Sequence, residues 1–226
     1  MTPAEHQRSA IEAATRRYIN GGKIDWLANL GIDLIEGRRE GCYVWDIAGR
    51  RILDALCDGS TYTLGHRHPE LVRCLKDALD QYDIGCQFLT SGPRAELAEM
   101  LVANSPNGLT HVHLVPSGSE ANDAAIKAAR FATGRRRIVV IEHAFHGVTG
   151  LSAIASGGHF SRPFNLDEAD GWIRVPWNDR QAMGAALASD DVAAVLVETI
   201  PATLGWPMPD DDYLRTSDSS ATTPVR

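Results

Sequence analysis

The chain has 226 residues, 44% of them hydrophobic and 23% charged, with 29 acidic against 22 basic side chains and a formal net charge of −7. This is the make-up of a folded, water-soluble chain of one large domain or a domain plus an appendage, and it excludes a general electrostatic affinity for nucleic acid. There is no apolar signal core and no stretch approaching a membrane span. Cys42, Cys57, Cys74 and Cys86 show neither close pairing nor zinc spacing, so free thiols in a reducing cytoplasm and no membrane partner are expected.

Thr2-Pro3 is an N-cap and first-turn pair that predicts a helix to about Tyr18, ended by Asn20-Gly21-Gly22 and followed by irregular chain to Gly31. Residues 34–36, 43–46 and 51–56 predict short antiparallel strands with a turn at Ala48-Gly49. Pro69–Leu79 is an amphipathic helix with Leu71, Val72, Leu75 and Leu79 on one side, and Gly92-Pro93 opens another with Leu97, Met100 and Leu101 inward. An alternation follows: strand 112–115, helix 119–133, strand 138–141, strand 173–175, helix 180–188, strand 192–197. It predicts an α/β fold with a mostly parallel sheet and crossover helices. The expected organisation is an N-terminal helix and hairpin subdomain (1–57), a large domain (58–214) and a polar, disordered tail (215–226).

Within this frame Ser117-Gly118-Ser119-Glu120-Ala121-Asn122 is a tight glycine turn that opens a helix. Free N–H groups and the helix dipole there favour an anion, most often a phosphate, and the Ser117 and Ser119 hydroxyls add donors. The alternative is a plain N-cap. With Ser119 as the cap, Asn122 stands three residues on, so no capping box is expected. Ala121, Ala124, Ala125, Ala128, Ala129 and Ala132 predict a small-residue surface against the sheet. Gly134 ends the helix, with Arg135–Arg137 favourable at its C-terminus.

Ala144-Phe145-His146-Gly147 places an aromatic beside a histidine at a turn. A phosphate cradle followed by an aromatic loop points to a flat, phosphorylated heteroaromatic cofactor. Phe145 is the candidate for stacking, against the alternative of a core phenylalanine. His146 contacts cofactor or substrate, or makes a loop-supporting hydrogen bond. Glu198 ends strand 192–197, where ligands of α/β sheets gather, or is a strand-end carboxylate facing water. The pairs His66/His68 and His111/His113 lack further ligands for zinc and read as packing or solvated histidines.

Taken in order, these motifs resemble the class III pyridoxal-phosphate aminotransferases, fold-type I enzymes that include glutamate-1-semialdehyde aminomutases and omega-amino-acid transaminases. The likeness rests on residues 41–54, 64–69, 117–130, 144–147, 197–201 and 210–214. It implies pyridoxal 5'-phosphate as cofactor, with the phosphate on Ser117, Gly118 and Ser119, the ring under Phe145, and His146 and Glu198 close by. The loop from Asp58 to Tyr62, Ser60 included, is implied on the substrate side. The implied reaction is amino-group transfer between an amine or amino acid and a 2-oxo acid, in an enzyme that is a homodimer at full length. Mutase, racemase and decarboxylase relatives share these loops.

The likeness covers roughly residues 20–214 and then stops. The family's next elements carry an aspartate for the pyridine nitrogen and the lysine that forms the Schiff base. The chain's lysines are Lys23, Lys76 and Lys127, and none matches that position, so no catalytic residue is assigned. The implied fold is fold-type I with its C-terminal part missing. The competing expectation is a non-catalytic remnant that binds a phosphorylated ligand weakly or pairs with a full-length relative.

Overall fold

The computed structural model describes residues 3–83, 88–166 and 170–215. The chain divides into two compact units, Met1–Ser91 and Gly92–Arg226. The expected boundary after residue 57 falls inside the first unit. Thr2, Cys86 and residues 216–226 lie outside the described residues.

In the first unit, α1 (Pro3–Thr15) and α2 (Gly21–Asn29) are separated by one turn of π-helix at Arg16–Asn20. This corrects the expectation of a single helix stopped at Asn20-Gly21-Gly22 and an irregular segment beyond it. Asn20 is extended, and its side chain accepts the Lys23 N–H at 3.1 Å. The Asn-Gly-Gly sequence is therefore a start signal, with Asn20 as N-cap.

β1 (Glu36–Glu40), β2 (Tyr43–Asp46) and β3 (Arg51–Leu53) form an antiparallel sheet of order β1-β2-β3. The hairpin turn is pinned by Asp46, whose Oδ1 accepts the N–H groups of Ala48 and Arg50. β1 begins where the expected strand at 34–36 ends. Its sequence is polar, so pairing with β2 holds it in place rather than any apolar pattern of its own. β3 stops at Leu53 rather than residue 56 because Asp54 Oδ1 accepts the Leu56 and Cys57 N–H groups. That turns the chain into the single turn α3 (Cys57–Ser60). His66 is buried, with Nε2 2.7 Å from Asp54 Oδ2 and backbone bonds in both directions to Gly41, a packing role. α4 (Pro69–Leu79) closes the unit.

The second unit contains α5 (Gly92–Ala103), α6 (Gly118–Thr133), β4 (Arg137–Ile141), α7 (Gly150–Ser156), β5 (Trp172–Val175), α8 (Arg180–Leu187) and β6 (Val192–Leu196). Its strands form a parallel sheet of order β5-β4-β6. β4 is central and buried on both faces, which accounts for its unbroken apolar run. Val139 and Ile141 pack with Val175, Met183, Ala186, Val192 and Tyr213. Ile138 and Val140 pack on the other face with Ile126, Ile154, Ala155 and Trp172. Arg135–Arg137 serve packing at the helix exit: Arg136 N–H donates to Asp191 Oδ1 at 3.0 Å, and the Arg135 guanidinium donates to the Val192 carbonyl at 3.3 Å.

Three expectations for this architecture are corrected. Residues 112–115 enter no strand ladder among the described residues; an apolar run becomes a strand only where a neighbour takes its hydrogen bonds. The alanine face of α6 is not buried against the sheet as a whole: Ala124 and Ala129 are half-buried and the other four alanines are exposed. Ile126 is buried, while Ala121, Ala125, Ala128 and Ala132 are exposed, because one isoleucine gains far more from burial than single methyl groups do. The apolar faces of α4 and α5 are open: Leu71, Leu75, Leu79, Leu97, Met100 and Leu101 are all exposed.

Candidate cofactor site

α6 begins at a reciprocal cap. Ser117 has extended backbone (φ −147°, ψ 160°), its Oγ accepts the Glu120 N–H at 3.2 Å, and its own proton goes to Glu120 Oε2 at 2.9 Å. The cap is therefore Ser117, and Glu120 stands three residues on. This S-x-x-E pattern was visible in the sequence and was missed by taking Ser119 as the cap. The first N–H groups of the helix, Gly118 and Ser119, have no intrahelical acceptor. Gly118 is exposed, and a Cβ built on it would meet nothing within 4 Å.

The turn carrying Phe145 folds back onto this helix start. Ser119 Oγ accepts the Val148 N–H at 3.1 Å, which leaves the hydroxyl proton free to donate. Gly147 makes the approach feasible. Its φ is +132°, and a Cβ there would lie 2.5 Å from Ser119 Oγ and 2.9 Å from Ser119 Cα. Glu198, just beyond β6, accepts the Phe145 N–H at 2.7 Å through Oε1 and the Ala202 N–H at 3.3 Å through Oε2. Phe145 is 40% exposed, with its ring centroid 5.1 Å from that of Phe160.

His146 is inward. Its backbone N–H donates to Ser156 Oγ at 2.8 Å, its carbonyl accepts from Asn122 Nδ2 at 2.6 Å, and the residue is 5% exposed. Burial pushes the imidazole below its ordinary value; the Glu198 charge opposes this and the Arg174 charge reinforces it. The ring is thus held neutral, with Nε2 buried and without a hydrogen-bond partner.

The structure brings together Ser117, Gly118, Ser119, Phe145, His146 and Glu198. Ser60 belongs to the first unit, where it is exposed with φ +69°. Five residues that sequence reasoning did not single out for the site, Asn122, Asp123, Thr149, Ser152 and Ser156, supply much of its hydrogen bonding. Asn122 and Asp123 follow Ser119 at helical spacings i+3 and i+4, which was the available signal. The arrangement can hold an anion on two N–H groups and one O–H, beside an open aromatic face.

The class-III aminotransferase family model matches residues 29–222. The chain belongs to this family. Among its class-III aminotransferase relatives, an uncharacterized aminotransferase of Archaeoglobus fulgidus is 41% identical over 92% of this chain and 49% of its own length. A glutamate-1-semialdehyde 2,1-aminomutase of Methanothrix thermoacetophila is 36% identical over 78% of this chain and 42% of its own. Of solved structures, a β-phenylalanine aminotransferase from Variovorax paradoxus aligns with a TM-score of 0.78, 27% identity and coverage of 97% of this chain and 49% of that one. A taurine:2-oxoglutarate aminotransferase from Bifidobacterium kashiwanohense, in complex with PLP and glutamate, aligns with a TM-score of 0.72 and 26% identity over 82% of this chain and 47% of that one. The fold is that of the fold-type I aminotransferases, and the chain spans about half the length of the curated relatives it matches. No helix among the described residues is long and apolar enough to cross a membrane.

Proposed function

We propose that this chain is the pyridoxal-phosphate-binding part of an aminotransferase that moves an amino group between an amine or amino acid and a 2-oxo acid. The observation that carries the reading is the fold-back of the Phe145 turn onto the α6 N-terminus, joined at Ser119 Oγ to the Val148 N–H. The phosphate sits on the N–H groups of Gly118 and Ser119 and takes the Ser119 proton. Ser117 acts through the cap, since its hydroxyl is committed to Glu120. The ring lies against Phe145, and the buried, unpartnered His146 Nε2 is a polar position the bound group can satisfy. Glu198 holds the Phe145 backbone in place. When bound, the cofactor supplies the electron sink for breaking a bond at the amine-bearing carbon. The chain's own residues bind the phosphate, present an aromatic face and exclude water on one side.

Covalent attachment is not a task these residues perform. Lys127 lines an open groove of about 540 Å³ with His113, Ala121, Ala124, Ala125 and Ala128. It stands nine residues along α6 from Gly118, about 13 Å away at the rise of an α-helix.

The test is to mix the purified chain with pyridoxal 5'-phosphate, record its absorbance, reduce with borohydride and map adducts by mass spectrometry. The expected outcome is saturable binding that is competed by inorganic phosphate and leaves no specific lysine adduct. A stoichiometric adduct on one lysine would overturn the non-covalent assignment. Absence of saturable binding would overturn the function itself.

A further inference from the structure

We propose that Asn122 and Asp123 of α6 are positioning residues that register the Phe145 turn against the helix N-terminus, so that the aromatic face and the anion-binding N–H groups are held as one unit. This rests on the reading of the site given above as a pyridoxal-phosphate cradle. Both side chains are committed to the loop. Asn122 Nδ2 donates to the His146 carbonyl at 2.6 Å. Asp123 Oδ1 accepts the Ser152 N–H at 2.7 Å, and Oδ2 accepts the Thr149 hydroxyl at 3.3 Å. With Ser119 they form an i, i+3, i+4 set on one face of α6. Three places along the turn, His146, Val148 and the start of α7, are thereby joined to three places on one helix.

Asp123 is fitted to this task by charge as well as geometry. It lies at the N-terminus of α7, where a carboxylate is favoured by the dipole and by unpaired N–H groups. At the other end of α7 the Arg174 guanidinium, presented by β5, donates to the Ala155 carbonyl at 2.8 Å and also to that of Ile154. The short helix is held by an acid at its start and a cation at its end. From inside it, Ser156 Oγ accepts the His146 N–H and lies 2.9 Å from the Gly147 carbonyl. Displacing Asp123 therefore disturbs α7, whose Ser156 holds the backbone of His146, the residue beside Phe145. The fit is close: a Cβ on Gly150 would lie 2.7 Å from Asp123 Oδ2.

A positioning role separates phosphate binding from ring orientation, whereas mere support of the fold would move both. The experiment compares the full chain with Asp123→Ala, Asp123→Asn and Asn122→Ala. Inorganic phosphate is titrated against the Gly118 and Ser119 amide resonances. Pyridoxal 5'-phosphate is titrated by its induced circular dichroism, with amide exchange measured at Val148 and Ser152. For Asp123→Ala, phosphate affinity is expected to stay within about threefold while pyridoxal phosphate affinity falls about tenfold, the loss typical of a hydrogen bond to a charged group. Its induced dichroism disappears, and the two amides exchange faster. Asp123→Asn, which keeps an acceptor for Ser152, recovers most of the signal.

Wild-type dichroism and affinity in both alanine variants would overturn the proposal, as would parallel loss of phosphate and pyridoxal phosphate binding. If Asp123→Ala does not fold, Asn122→Ala removes a single bond and carries the same readouts. A wild-type chain that binds neither ligand would instead sink the cofactor reading, and this role with it. A chain that binds both, with unchanged variants, would sink this proposal alone.

Discussion

His146 is the residue in which sequence and environment differ most. In the sequence it is a histidine at a turn, equally suited to ligand contact or loop support. In the structure its backbone does the loop support, and its buried ring is held neutral. A folded-state value below the ordinary imidazole value of about 6.5 means that the unfolded chain takes up a proton which the folded chain refuses as pH falls below that value. At pH 7 and above neither state is protonated and nothing is lost. Stability should therefore decline below about pH 6.5, and His146→Gln should flatten that part of the profile. Urea midpoints at pH 7.0 and 5.5 check this; equal pH slopes for the two proteins would contradict it. Glu120 marks the opposite case. Its role was fully legible as the fourth letter of Ser-x-x-Glu, and only the choice of Ser119 as the cap hid it.

Among the elements, β4, β6, α4 and α8 were legible because each carries its own signal: an unbroken apolar run, a Pro at the first turn, or an Asp179 cap. β1 was displaced because nothing in Glu-Gly-Arg-Arg-Glu announces a strand; its partners are the cause. The outward alanine face of α6 was misread for a related reason, since alanine is compatible with either side of a helix and Ile126 decided the matter. The contact between the two site elements depends on Gly147. Gly147→Ala would combine a disfavoured φ with a Cβ 2.5 Å from Ser119 Oγ, costing about 1–3 kcal/mol. Denaturant melts should show that loss together with weaker pyridoxal phosphate binding. An unaffected melt would show that the turn can relax away from α6.

For the whole molecule, the open apolar faces matter most. Leu71, Leu75 and Leu79 repeat every four residues along α4 and all are exposed, Leu75 at 63%. On α5, Leu97, Met100 and Leu101 are likewise exposed, Met100 at 64%. Contiguous surfaces of this kind bind other apolar groups. The chain should bind anilinonaphthalene sulfonate and scatter light increasingly with concentration, and Leu75→Lys with Leu79→Lys should lower both signals. Unchanged dye binding in the double variant would remove α4 as the source. Helical periodicity correctly marked these faces as apolar, but it carries no information about whether a chain of this length covers them.

The stitching of α6 to the Phe145 turn also sets an order of assembly. Its hydrogen bonds span 24 to 29 residues, from Asn122 to His146 and from Ser119 and Asp123 to Val148 and Ser152. All of these partners are synthesised before β5 is, and domains begin to organise from the N-terminal side during synthesis. The Glu198 clasp on Phe145 bridges 53 residues and arrives last. The anion cradle is thus a local product of about forty consecutive residues, and the aromatic wall is locked only when β6 docks.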